Sequence, residues 1–153
     1  MIAVILDENE LIYWGALGAR RHAEALARGL PDRHGAKQSW DLHIEGAMGE
    51  AAAAKALDRY LSPTSLTFRS RADVGEVEVR TRGFDKDGRD TYELIVRKDD
   101  KDDARFILVT GRAPKFDVHG FILGRDAKRP EWLKGHGGRE QAYFVPRSAL
   151  TSL

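Results

Sequence analysis

The chain has 153 residues and no cysteine, and its 25 basic and 24 acidic side chains leave a net charge of +1. A chain of that length buries a core in one domain without disulfides or a structural metal. The missing thiols exclude thiolate zinc sites, iron–sulfur clusters and cysteine nucleophiles, and the balanced charge argues against wrapping nucleic acid by bulk charge. The opening MIAVIL is apolar, but Asp7 ends it short of a secretory segment and no basic residue precedes it. No later run approaches membrane-spanning length. The expectation is a soluble, cytoplasmic protein with no membrane partner, and the absence of cysteine agrees with a reducing compartment.

Asp7 and Glu10 have the spacing of a capping box. Leu11, Trp14, Leu17 and Ala25 then recur at helical intervals, which predicts a helix over 8–28. Gly29 and Pro31 stop it. Arg20, Arg21, His22 and Arg28, with Arg33, His34 and Lys37 in the loop that follows, make this the most basic part of the chain. It reads as a solvated helix face rather than a track for phosphates.

A second helix is expected from Asp41 or Leu42 to Leu61, favoured by its alanines. At helical angles Ile44, Ala47, Met48, Ala51 and Ala54 share one broad arc. Glu50 falls beside Ala47, Ala54, Leu57 and Leu61, on the buried side, while Glu45 points to the polar side. A glutamate on an apolar arc needs a partner: an arginine, a backbone group to cap, or a metal ion. His43 lies on the same side two turns earlier and reads as structural. His43 and Glu45 do not share a face, and the five histidines are scattered, so zinc is not expected.

The segment Ser62-Pro-Thr-Ser65 ends that helix, and 66–69 can form a short strand. Residues 72–81 read ADVGEVEVRT. Asp73 stands at a bend that Gly75 permits. Over 76–82 the pattern alternates, with Val77 and Val79 facing one way and Glu76, Glu78, Arg80 and Arg82 the other. This is the signature of a half-buried strand with a charged solvated face. It would also gather two carboxylates and a cation around one point.

Residues 83–89 form a turn-rich hairpin loop and 92–97 the next strand. The run KDDKDD at 98–103 lacks the spacing and closing glutamate of a calcium loop and reads as a solvated hairpin tip. Residues 105–110 are almost wholly apolar, as in a central strand, and 116–124 return as its neighbour. A short helix is expected over 128–134 with Pro130 near its start. The glycines of 135–139 offer a weak phosphate cradle, and 141–145 form the last strand. No nucleophile elbow or P-loop is present. The fold class is α+β, with N-terminal helices packed on a mixed or antiparallel sheet of about five or six strands, in a single domain over 1–153.

Glu50 on a helix, then Asp73, then Glu78-Val79-Arg80 on a strand, resembles the PD-(D/E)XK superfamily of nucleases, the restriction-endonuclease-like fold. The GAMGE helix at 46–50 resembles the family's glutamate-bearing helix, and 73–81 resembles its catalytic hairpin in a short form. Residues 40–50, with the region from Phe106 to Leu150, also look like small proteins encoded by bacteriophages. The nuclease resemblance runs from 46 to 98. It divides the chain into an N-terminal helix and basic loop (1–40), a nuclease-like core (41–98) and strands that complete the sheet (99–153).

The resemblance implies a phage-type, metal-dependent DNA endonuclease that hydrolyses phosphodiester bonds. Asp73 and Glu78 would hold Mg²⁺ (or Mn²⁺), with Glu50 as a direct or water-mediated ligand. Arg80 stands where the family has lysine. It suits stabilisation of anionic charge and not proton abstraction, and Lys98 on the next strand is a candidate substitute. Glu76 is an extra ligand or a pair for Arg82. No long helix follows the third strand, where the family fold places one. DNA is the implied partner, and a homodimer is left open. Two other readings stand beside this one. The first is a catalytically inactive nuclease-fold protein that binds DNA or a phage or host protein. The second is a structural or virion-associated protein, in which Glu50 pairs with a basic side chain and Asp73 faces bulk water.

Overall fold

A computed structural model describes residues 1–29, 40–61, 73–83, 91–135 and 140–153. The expected basic loop after the first helix, the strand at 66–69, the hairpin loop at 84–89 and the glycine-rich stretch at 136–139 lie outside the described residues.

The apolar start of the chain is a strand, β1 (Ile2–Ile5), rather than a bare lead into the first helix. Helix α1 (Glu8–Ala27) follows, held at its start by the expected capping box. Asp7 Oδ1 accepts from the Glu10 amide at 2.9 Å, and Glu10 Oε2 accepts from the Asp7 amide at 2.7 Å. Helix α2 (Trp40–Ala56) ends earlier than the sequence pattern suggests. Asp58 takes a left-handed backbone (φ 50°) and the Arg59 amide bonds back to the Ala54 carbonyl, so a C-terminal turn closes the helix before Leu61 is reached.

Two glycines set how closely α2 packs. A side chain on Gly18 of α1 would run into the backbone of His43 and Ile44, so the two helices touch main chain to main chain. A side chain on Gly49 would collide with Thr81, so α2 lies flat on the strand that carries that threonine. Ala51, Ala52, Ala53 and Ala54 are all buried, because small side chains let the helix be covered from both sides.

That strand is β2 (Val77–Arg82), an edge of a four-stranded mixed sheet. The other strands of this sheet are β1, β4 (Arg105–Arg112) and β5 (Lys115–Leu123), in the order β1-β5-β4-β2. β2 runs parallel to β4, with Val79 opposite Ile107, whereas β4 and β5 are antiparallel. A second, antiparallel sheet holds β3 (Leu94–Arg97), β7 (Ala142–Val145) and β6 (Leu133–Lys134), in the order β3-β7-β6.

The expected single sheet of five or six strands is therefore two sheets. A strand has two edges, and those of β4 are occupied by β2 and β5, so β3 pairs with β7 instead. The charged run at 98–103 then passes between sheets and is not the tip of a hairpin. The expected helix near Pro130 is a single 3₁₀ turn, Pro130–Trp132, and α3 (Gly124–Ala127) is one turn long.

β4 explains the three layers. Ile107 and Val109 join Met48, the α2 alanines and Val79 on the helix side. Phe106 and Leu108 join Leu94, Val96 and Val145 on the side of the second sheet. A strand covered on both faces reads as an unbroken apolar run, as 105–110 does. Among the described residues no helix is long and apolar enough to cross a membrane.

Candidate functional site

Glu50 follows Gly49, so the contact that seats α2 on β2 also carries this glutamate to the sheet. The helical angles place it on the covered side, and its side chain is only 13% exposed. Its partner comes from α1. Arg21 Nη1 lies 2.8 Å from both Glu50 oxygens and is itself 12% exposed. Arg21 had read as part of a solvated basic face. It is instead the buried arginine that the glutamate requires.

Asp73 is delivered by a tight reversal. Val74 and Val77 exchange amide–carbonyl bonds of 3.0 and 2.9 Å, and Gly75 between them adopts φ 60°, a left-handed backbone that glycine takes without strain. The reversal lays Asp73 beside β2, where its Oδ2 accepts from the Val79 amide at 2.7 Å. β2 is an edge strand, so this bond satisfies a backbone donor that the sheet leaves open. Asp73 is partly buried and does not face bulk water.

Glu78 and Arg80 lie on the face of β2 opposite Val77 and Val79. The Arg80 guanidinium stacks over Phe106, with its central carbon 4.9 Å from the ring centroid. Its Nη2 donates to both oxygens of Asp100 at 3.0 Å, and its Nη1 lies 3.6 Å from Glu78 Oε2. Asp100 also accepts from the Arg97 amide at 2.8 Å. The charged run at 98–103 is thus anchored, for Lys128 Nζ donates to the Asp100 carbonyl and to Asp102 Oδ1, both at 2.6 Å.

The Asp73 charge reaches both Glu50 and Glu78. Burial pushes Glu50 up to about 7, with the Asp73 charge adding to it, Arg21 opposing both, and Glu78 contributing a further rise. Asp73 is also raised by burial, against the Val79 amide, Arg80 and Arg21. Glu78 is raised by burial first and by Asp73 second, while Arg80 and then Lys101 pull it down. Arg97 is lowered by burial and by the nearby Arg80. Burial is the largest cause of all three carboxyl rises, and the Arg21 and Arg80 guanidiniums oppose them.

Other expected members are placed elsewhere. Lys98 donates to Gln141 Oε1 at 2.9 Å, towards the second sheet. Glu76 is exposed on the tight turn, and the Arg82 guanidinium sits 4.2 Å from the Tyr92 ring centroid. His43 packs at a tilt against buried His22, with ring centroids 4.8 Å apart. Three residues that sequence reasoning did not assign to the site belong to its surroundings: Arg21, Asp100 and Lys101. The only sequence signal for Arg21 was that a buried Glu50 needs a cation.

Hard oxygen donors are the ligand type Mg²⁺ or Mn²⁺ takes. Yet among the described residues no three acidic or histidine side chains stand ready as a coordination set. Arg21 covers both Glu50 oxygens, and Asp73 directs one oxygen to a backbone amide. The donors are of the chemical type the ion takes, but among the described residues they are not gathered into a coordination set, and Glu50 is engaged by an arginine. Comparison with known proteins adds no relative, since no family model, curated protein or solved structure matches the chain.

Proposed function

We propose that this protein is a divalent-metal-dependent DNA endonuclease built on a short form of the restriction-endonuclease-like core. The observation that carries the reading is that Glu50, Asp73 and Glu78, from a helix, a reversal and a strand, are all partly or largely buried with raised pKa values, and that the Asp73 charge adds to the rise at both glutamates. Crowded acids at an edge, with basic groups alongside, are a poor choice for stability and a common one for binding a cation.

In this reading Asp73 and Glu78 hold Mg²⁺ or Mn²⁺, and Glu50 contributes directly or through water. An ion held there would supply a water of lowered pKa and would neutralise charge on the phosphate. Arg80 carries a permanent charge beside Glu78 and stabilises the developing anion. Asp100 holds that guanidinium by Nη2, which fixes its direction with Nη1 beside Glu78. Lys101, whose charge reaches Glu78, adds positive potential where a phosphate would enter.

The second reading is a nuclease-fold protein that binds DNA or a protein without cutting. It draws on the arginine pairings, since Arg21 on Glu50 and Asp100 on Arg80 give each group a protein partner. Nicking of supercoiled plasmid in Mg²⁺ or Mn²⁺ separates the two. The nuclease reading expects cleavage by the native chain that is lost in Asp73→Ala and Glu78→Ala. No cleavage by a folded native chain that still retards DNA in a gel favours the binder.

A further inference from the structure

We infer that the open edge of β1 is where a second copy of this chain docks, pairing antiparallel so that the two four-stranded sheets run on as one. The inference is independent of the metal-site reading, which concerns the opposite edge of the same sheet.

The pairing of β1 with β5 shows which of its backbone groups are left over. Leu6 donates its amide to the Pro114 carbonyl at 2.9 Å, just past the ladder that sets Ile2, Ala3, Val4 and Ile5 opposite Val118, Asp117, Phe116 and Lys115. In an antiparallel pair each residue turns its N–H and C=O to the same side, and the side alternates along the strand. Ile2, Val4 and Leu6 therefore face β5, while Ala3 and Ile5 face away from it. The Ile5 carbonyl agrees with this direction, since it accepts from Lys55 Nζ at 3.1 Å. Among the described residues no strand takes the amides of Ala3 and Ile5 or the Ala3 carbonyl.

The two edges of the sheet are finished differently. β2 has Asp73 on its Val79 amide, a cap that blocks a further strand. β1 has only the lysine on one carbonyl, and Glu10 holds that lysine at 3.0 and 2.8 Å. Its sequence adds no guard. Residues 1–5 read MIAVI, with no proline and no charged side chain, and Ile5 is 62% exposed.

The occupant follows from matching this edge to itself. With Ala3 of one copy opposite Ala3 of the other, each Ala3 amide donates to the other's Ala3 carbonyl, and each Ile5 amide to the other's Met1 carbonyl. The Ile5 carbonyl that Lys55 holds then stands at the margin of the pairing. A pair centred on Val4 would put that carbonyl in the middle and displace the lysine. In the Ala3 register Ile2 neighbours Val4 and Ile5 neighbours Met1, so exposed apolar side chains cover one another and no like charges are opposed. The rotation relating the copies is two-fold and uses one edge of each. Asp73 caps the edges that remain, and assembly stops at a dimer.

The test is sedimentation velocity of the native chain and of Ala3→Pro over about 1 to 100 μM, with fold checked by circular dichroism. Proline at this position removes an amide that points away from β5 and leaves the chain's own ladder intact. The native chain is expected to dimerise as concentration rises, and Ala3→Pro to weaken that association by about a hundredfold or more. A native chain that stays monomeric across the range overturns the proposal. So does a dimer that a folded Ala3→Pro leaves intact, or assembly that grows past two copies. If Ala3→Pro does not fold, hydrogen exchange on the native chain decides the matter. The Ala3 and Ile5 amides should exchange at least about tenfold more slowly at the top of the range than at the bottom. Rates that do not change with concentration overturn the proposal.

Discussion

Two arginine–carboxylate pairs flank the edge strand β2, and they differ in what surrounds them. On the helix side Arg21 meets Glu50, both nearly covered; on the side of the second sheet Arg80 meets Asp100. Asp100 accepts from the guanidinium through both oxygens and from the Arg97 amide, and its own backbone carbonyl accepts from Lys128. It is a satisfied acid that ties the charged run at 98–103 to β2. Glu50 has one guanidinium and two neighbouring acids, and burial with that crowding raises it to about 7. Equal numbers of pairs thus carry different meanings. Asp100 is closed by additional donors and orients Arg80, whereas the pair that faces further acids belongs to the site proposed above.

That contrast can be broken first at the seat of α2. Gly49→Ala places a methyl group in Thr81 and should cost about 3 kcal/mol in urea unfolding, lifting Glu50 away from β2. Adding Thr81→Ala should recover part of the loss. Next, Asp100→Ala leaves Arg80 and the Arg97 amide without their acceptor and should cost about 2 to 3 kcal/mol, with its main effect on the tie between sheets.

The site side of the contrast has a pH signature. Because Glu50 is raised from 4.5 to about 7, the folded chain keeps a proton that the unfolded chain releases. Stability is then greatest at and below the lower value, falls as pH rises through that window and levels off above it. The fall should be roughly 3 kcal/mol. Urea midpoints between pH 4.5 and 7.5 should show it, and Glu50→Gln should flatten the slope. The smallest effect belongs to the exposed Arg20–Glu24 pair on α1, where Arg20→Ala should cost under about 0.5 kcal/mol.

Features encoded by neighbours in the chain were legible from the sequence. The Asp7–Glu10 cap, the covered position of Glu50, the alternation of Val77 and Val79 and the apolar run of β4 all follow from local spacing. What was missed depends on distant partners. β3 follows β2 in order but pairs with β7, because the edges of β4 are already taken. Arg21 looks like any arginine on a basic helix face until α2 folds against it. Asp100 sits in a run of like residues, and only the passage between sheets singles it out. Asp73 was singled out as a candidate site acid but not as the cap of an open strand edge, since that bond exists only once Gly75 has turned the chain back on itself.

The double duty of Asp73 supplies the most direct measurement. Asparagine keeps an oxygen to accept from the Val79 amide but removes the charge, so Asp73→Asn isolates chemistry from structure. The experiment is nicking of supercoiled plasmid in Mg²⁺ or Mn²⁺ by the native chain and by Asp73→Asn, at matched stability. The proposed endonuclease predicts metal-dependent nicking by the native chain and none by a folded Asp73→Asn. Nicking that persists at full rate in Asp73→Asn would contradict a carboxylate site at the α2–β2 edge.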